Sequence, residues 1–396
     1  MKKLRLSLFV REMTATPPAL LQRKRTPLTV LSFATMGALV LGCNQPKREP
    51  AADTTSAPEA TAKAVDETAA KKMPAATVDS LTLPVMPELP KLESNPQTPE
   101  KIELGRRLFF DKRLSVDGSV SCYSCHQDEQ GGGGKDPLAV GALNKTLPRH
   151  SPVIWNAGHL PSLYWDGRAD SLEAQAKGAW GGANMGVGKE NLDKKAQEVA
   201  ALPEYKKDFK QVFPGQPVTG DLVAQALSAF ERTLECKSTA YDKYAAGDKA
   251  ALSVEQKVGL EVFLGKGMCS ACHAPPFFSA AYVGKGAFFN VGVGTKDVPE
   301  DKVDVGRMKV SEDAKDWAAF KVPSLRNVTR SAPYFHDGSA ATLKDAVHFM
   351  ARGGHDNKNK NPLMSDKQLS EAEMDSIIAF LSALDCEGTI QVAAKE

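Results

Sequence analysis

Two pentapeptides decide how this chain reads: Cys122-Tyr123-Ser124-Cys125-His126 and Cys269-Ser270-Ala271-Cys272-His273. Two thiols three positions apart can add to the two vinyl groups of one haem, and the His that follows then coordinates its iron. A structural zinc site would bring Cys-x-x-Cys knuckles about 15–20 residues apart, whereas the first cysteines here are separated by 147 positions. A thioredoxin-like motif would need a βαβ context, and none is present. The expectation is two covalently bound haem c groups. Cys122, Cys125, Cys269 and Cys272 attach them, and His126 and His273 are metal ligands.

The flanks of the two motifs repeat. Thr98-Pro99-Glu100 opens a helix through Leu104-Gly105-Arg106-Arg107-Leu108-Phe109, with a capping side chain and Pro at the first helical position. Ser253 and Gln256 form a capping box before Val258-Gly259-Leu260-Glu261-Val262-Phe263. Each apolar-Gly-x-x-apolar-Phe stretch precedes one motif, so the chain contains a duplicated unit. Between them Asp221 starts a helix with Leu222, Ala226, Leu227, Phe230 and Leu234 on one stripe, and Ser370 with Glu373 opens a last helix. No long alternating strand pattern occurs. The predicted fold is all-α: two cytochrome c-like domains with long connecting loops, residues 98–247 and 248–396, the last helix able to pack on the N-terminal domain. Cys236 and Cys386 each follow an amphipathic helix and are candidates to pair; spacing alone does not settle their distance. Gly131–Gly134 is followed by Lys135-Asp136 with no preceding strand, which makes it a loop beside the first haem and not a phosphate-binding loop.

The 50 Lys and Arg are nearly matched by 48 Asp and Glu, so there is no basic footprint for nucleic acid. The cationic start and the apolar run Leu28–Gly42, too short for a membrane span, read as an export signal over 1–42. Val40-Leu41-Gly42-Cys43 resembles a lipobox, which would lipidate Cys43 and make that anchor the one membrane contact. Residues 43–97, rich in Ala, Pro, Thr, Lys and Glu and without an aromatic residue, read as a disordered tether. The expected location is the periplasm, lipid-anchored to a membrane, where cysteines pair or carry a prosthetic group.

Over roughly residues 96–386 the chain resembles the bacterial di-haem cytochrome c peroxidases. The resemblance rests on Tyr164-Trp165-Asp166-Gly167-Arg168, Gln175-Ala176-Lys177-Gly178, Pro323-Ser324-Leu325-Arg326-Asn327-Val328 and Ala332-Pro333-Tyr334-Phe335-His336-Asp337-Gly338. It implies that the N-terminal haem reacts with hydrogen peroxide and the C-terminal haem takes electrons from a small cytochrome c or a copper protein, in a homodimer. Met350 falls where the family's axial Met ligates the second iron, Trp165 matches a relay between the haems, and Gln175 matches a peroxide-pocket residue.

Three positions depart from that pattern. No His lies between Gly131 and Leu147, where many members carry a removable ligand, so the N-terminal haem is expected open unless His150 or His159 reaches it. Asn184-Met185-Gly186 stands where the family has its distal Glu, and an amide cannot shuttle the peroxide proton as a carboxylate does. His150 replaces an Asn that helps bind an interdomain calcium ion, leaving the Ser331 and Pro333 carbonyls as the remaining ligands. Three functions are compatible: a hydrogen peroxide reductase; a di-haem oxidase modifying a partner protein, against which Met350 argues because oxidases resembling the methylamine dehydrogenase maturation enzyme have Tyr there; and a non-enzymatic electron-transfer cytochrome.

Overall fold

Gly105 and Gly259 show how the duplication is built. In the computed structural model, which describes residues 77–284 and 287–390, each glycine lies at the middle of a helix crossing. Helices α1 (Pro99–Phe110), α2 (Leu172–Gly181), α3 (Leu192–Ala200), α4 (Pro203–Val212) and α5 (Gly220–Glu231) form the first half. Helices α6 (Ala240–Ala245), α7 (Val254–Leu264), α8 (Met308–Ser311), α9 (Leu343–Ala351) and α10 (Glu371–Ser382) form the second. A Cβ at Gly105 would run into the Ala226 carbonyl and Phe230 of α5; one at Gly259 would meet the Ser376 carbonyl and Phe380 of α10. The aromatic pairs at the two crossings match, Phe109 with Phe230 and Phe263 with Phe380, both at 5.3 Å between centroids. Gly259→Val should therefore push α7 from α10 and cost about 1–3 kcal/mol, read as a lower midpoint in denaturant.

Capping follows the sequence reading. Thr98 caps α1, and the boxes Ser253/Gln256 and Ser370/Glu373 form at α7 and α10. One start differs: Thr219, not Asp221, caps α5, because its hydroxyl accepts the Leu222 N–H and leaves Asp221 in the first turn. Extended pairing among the described residues is limited to two-residue ladders, Val140–Gly141 with Lys145–Thr146 and Phe288–Phe289 with Phe320–Lys321, and a few isolated bridges.

Each half has its own core. The first gathers Leu104, Leu108, Phe109, Trp180, Leu227 and Phe230; the second gathers Leu260, Phe263, Met374, Ile377, Phe380 and Leu381. The described residues nonetheless belong to one compact unit. Helix α10 packs on α7 within the second core, which corrects the expectation that it could pack on the N-terminal domain. The segment after it crosses over: Ile390 is buried in the first core, and Cys386 is disulfide-bonded to Cys236 with Cα atoms 5.3 Å apart. That bond closes a span of 150 residues, and Cys236→Ser with Cys386→Ser should lower unfolding stability by about 2–5 kcal/mol while leaving the helical circular dichroism unchanged.

The disordered tether drawn to residue 97 is too long. Residues 77–97 are packed: Val78 and Leu83 enter the second core, Tyr244 donates to Asp79 at 2.7 Å, and Asn95 donates to Glu173 and to the Gln225 carbonyl at 2.7 and 2.9 Å. The apolar residues Val78, Leu83 and Leu89, thinly spread among prolines, supply burial that average composition hides. The export signal, Cys43 and the remainder of the tether lie outside the described residues. No helix among the described residues is long and apolar enough to cross a membrane.

Candidate haem sites and the cavity they share

Both pentapeptides fold as tight turns just after α1 and α7. His126 N–H donates to the Tyr123 carbonyl and His273 N–H to the Cys269 carbonyl. Each imidazole donates Nδ1–H to a backbone carbonyl, His126 to Gly132 at 3.2 Å and His273 to Phe278 at 3.0 Å. A carbonyl can only accept, so Nε2 of each ring is left with its lone pair. This is the arrangement that fixes a metal-ligating His. Burial holds both rings neutral: His126 is pushed down to about 4, and His273 is lowered. The Gly131–Gly134 segment is the loop that supplies the Gly132 carbonyl.

One cavity of about 1280 Å³ is lined by Cys125 and His126 from the first turn and Cys269, Cys272 and His273 from the second. Cys122 packs against the first core. None of these four thiols is in a disulfide. Lys321 also borders the cavity, and burial alone pushes its ammonium down to about 8. A cation without a counter-charge there suits a group carrying carboxylates, as haem does in its propionates. Space, thiols, free Nε2 atoms and an awaiting cation all fit a haem c at each turn.

The other expected residues reach the same space. Trp165, Gln175, Asn184 and Met350 all line it. Trp165 Nε1 donates to the His150 carbonyl at 2.8 Å, and its ring stands edge-on to His336, centroids 6.4 Å apart. His336 in turn stacks on Phe320 at 3.6 Å. Met350 projects from α9, whose N-cap Thr342 forms a capping box with Asp345. The N-cap of α2 is Ser171, and the two helices begin alike at Leu172 and Leu343. Eight positions in, α9 carries Met350 and α2 carries Ala179.

Of the two additional histidines, one reaches the cavity and the other does not. His150 lines the cavity but donates Nδ1–H to the Asp136 carbonyl at 2.9 Å. It is 5% exposed, and its backbone is held by His336 and Trp165. His159 sits 3.5 Å from Glu235 and against Phe277, away from the cavity lining. The His150 side chain supplies ring nitrogen and no oxygen, a poor donor for the calcium ion that the resemblance implies.

Sequence reasoning missed three residues here: Lys321, His336 as a ring beside Trp165, and Glu231 at the end of α5. For Glu231 a signal existed, since it is a carboxylate on the helix face that carries Leu227 and Leu234.

A helix-rich chain with two Cys-x-x-Cys-His turns facing one cavity defines a c-type haem redox protein. The profile of the family described as di-haem cytochrome c peroxidase matches residues 99–250. The chain is 36% identical over 312 residues to cytochrome c551 peroxidase of Pseudomonas aeruginosa, covering 77% of this chain and 84% of that one. It is 35% identical over 305 residues to the methylamine utilization protein MauG of Methylorubrum extorquens, covering 76% and 82%. A crystal structure of a MauG-like protein associated with microbial copper homeostasis superposes with a TM-score of 0.70 at 30% identity, covering 78% of this chain and 96% of that one. The protein belongs to the di-haem cytochrome c peroxidase family, and is an oxidoreductase of the peroxidase and MauG-like kind.

Proposed function

We propose that the protein reduces hydrogen peroxide to water at the N-terminal haem, with electrons from a small cytochrome c or cupredoxin entering through the C-terminal haem. The observation that carries this reading is the asymmetry between α9 and α2: α9 turns Met350 into the cavity, whereas α2 turns Gln175 and Gly178 into it and has Ala179 at the position that matches Met350 in sequence. Bound at the two turns, the haems supply the two electrons that cleavage of the O–O bond consumes. His273 and Met350 would be the residues that hold the second iron, a His/Met pair that suits electron storage. On the first, α2 offers the cavity Gln175 and Gly178 and no thioether, and His126 would be the ligand that the first turn supplies. Space is left there beside Gln175 and Asn184, whose amides can hydrogen-bond peroxide but cannot accept its proton. Trp165, in the lining of the shared cavity, is the proposed electron relay. Met350, where the maturation enzymes have Tyr, weighs against oxidation of a partner protein. The N-terminal basic–apolar order supports export and a lipid anchor at Cys43.

Ala179→Met tests the asymmetry directly. It should convert the N-terminal ferric haem to a low-spin spectrum and abolish peroxide turnover, with two haems per chain retained. Unaltered turnover together with an unaltered spectrum would show that α2 does not face the open side of that haem.

A further inference from the structure

Asn184 leaves the peroxide pocket without a group that can move a proton, yet a carboxyl does enter the same cavity from another helix. Glu231 ends α5, lines the cavity with Gln175 and Asn184, and has Oε2 buried with no hydrogen-bond partner. An unpaired buried carboxyl is costly and is retained in a fold when something uses it.

The duplication shows that packing does not use it. The α1/α5 and α7/α10 crossings superimpose Phe230 on Phe380 through their contacts with Gly105 and Gly259. The frame continues beyond the helices: Leu234 and Leu384 accept from the backbones of Asn156 and Asn327, and Cys236 pairs with its counterpart Cys386. The residue after each Phe is therefore Glu231 in the first half and Leu381 in the second. Leu381 lines the cavity too and is 3% exposed, so an apolar side chain fills this position where no peroxide chemistry is assigned.

We propose that Glu231 is the acid–base group of the N-terminal haem pocket, doing from α5 what Asn184 cannot do from the end of α2. The inference rests on the peroxidase reading. Its carboxylate takes a proton from one oxygen of bound peroxide and returns it to the other as the O–O bond breaks. With two electrons from the donor by way of the haems and two further protons, one peroxide gives two waters and the carboxylate is regenerated.

The neighbours leave Glu231 available for this. Arg232, next in sequence, is engaged by both oxygens of Glu173 at 2.8 and 3.1 Å. Tyr164 donates its hydroxyl to the Gln175 carbonyl at 2.9 Å, and the Arg168 guanidinium lies over its ring. The Cys122 thiol is the remaining titratable neighbour and is consumed by haem attachment. Burial, aided by Glu173 and opposed by Arg232, pushes Glu231 up to about 8, within reach of both protonation states near neutral pH.

The test is Glu231→Gln in the holoprotein, read two ways. One is steady-state peroxide turnover, expected to fall by about 10²–10⁴. The other is the pH dependence of cyanide binding to the ferric N-terminal haem, in which hydrogen cyanide must give up its proton inside the pocket. The wild type should show a step near pH 8 that Glu231→Gln abolishes and Glu231→Asp shifts. Turnover within threefold of wild type with the step in place overturns the proposal. If Glu231→Gln loses haem, Glu231→Asp decides: a shifted step supports the role and an unmoved one refutes it. If wild-type protein with both haems turns over no peroxide, the peroxidase reading fails separately. The cyanide step then still decides whether Glu231 holds the pocket's proton.

Discussion

Cys122→Ala combined with Cys125→Ala is expected to leave one covalently bound haem per chain and no peroxide turnover. The first turn lies at the edge of the core built by α1 and α5, while the second turn follows α7 and belongs to the other core. Each core closes on its own helix crossing, so the C-terminal haem should remain attached, with its spectrum unchanged. The first half, with its share of the cavity unfilled, should lose stability: burial of a large apolar cofactor contributes roughly 25 cal/mol per Å² removed from water. Haem stain after denaturing electrophoresis, together with a haem-to-protein ratio, gives the result. A ratio that stays at two would overturn the assignment of Cys122 and Cys125.

Met350→His should lower the reduction potential of the C-terminal haem by on the order of 0.1–0.2 V, a fraction of the roughly 0.8 V that axial ligation spans. Imidazole favours ferric iron more than thioether does. Each 59 mV is tenfold in a one-electron equilibrium, so electron entry from a donor of fixed potential should become unfavourable by roughly fiftyfold or more. Met350→Ala should give a high-spin or water-ligated haem instead. A potentiometric titration followed optically separates the two haems, and an unchanged C-terminal spectrum in both variants would reduce Met350 to a packing residue of α9.

Pocket residues divide by how local their signal is. The two haem turns, the capped starts of α1, α7 and α10, and the apolar stripe of α5 are local patterns, set by spacing within a few residues, and all were legible. Glu231 was not singled out, because a single charge on an apolar stripe is ambiguous until the stripe is seen to face a cavity. Lys321 was missed because a lysine in a short extended run gives no pattern. The Met350–Ala179 contrast needs α2 and α9 aligned by their starts, and the halves differ in length between turn and helix. Equivalent positions therefore do not share one offset along the chain.

The chain by itself determined the cofactor chemistry, because attachment and ligation depend on atoms within five consecutive residues. It also determined the duplication, because each half carries its own capping and Gly-x-x-apolar-Phe signals. Tertiary structure decided what distance in sequence conceals. Cys236 and Cys386 meet because the segment after α10 leaves the second core and enters the first. Residues 77–97 pack despite a composition that favours disorder, because a few apolar side chains and Asn95 find preformed partners on both halves. His150 and Trp165 are held in the cavity lining by hydrogen bonds to backbone carbonyls that no motif encodes. Those contacts join residues brought together only by folding, where burial and unpaired polar atoms set the energies.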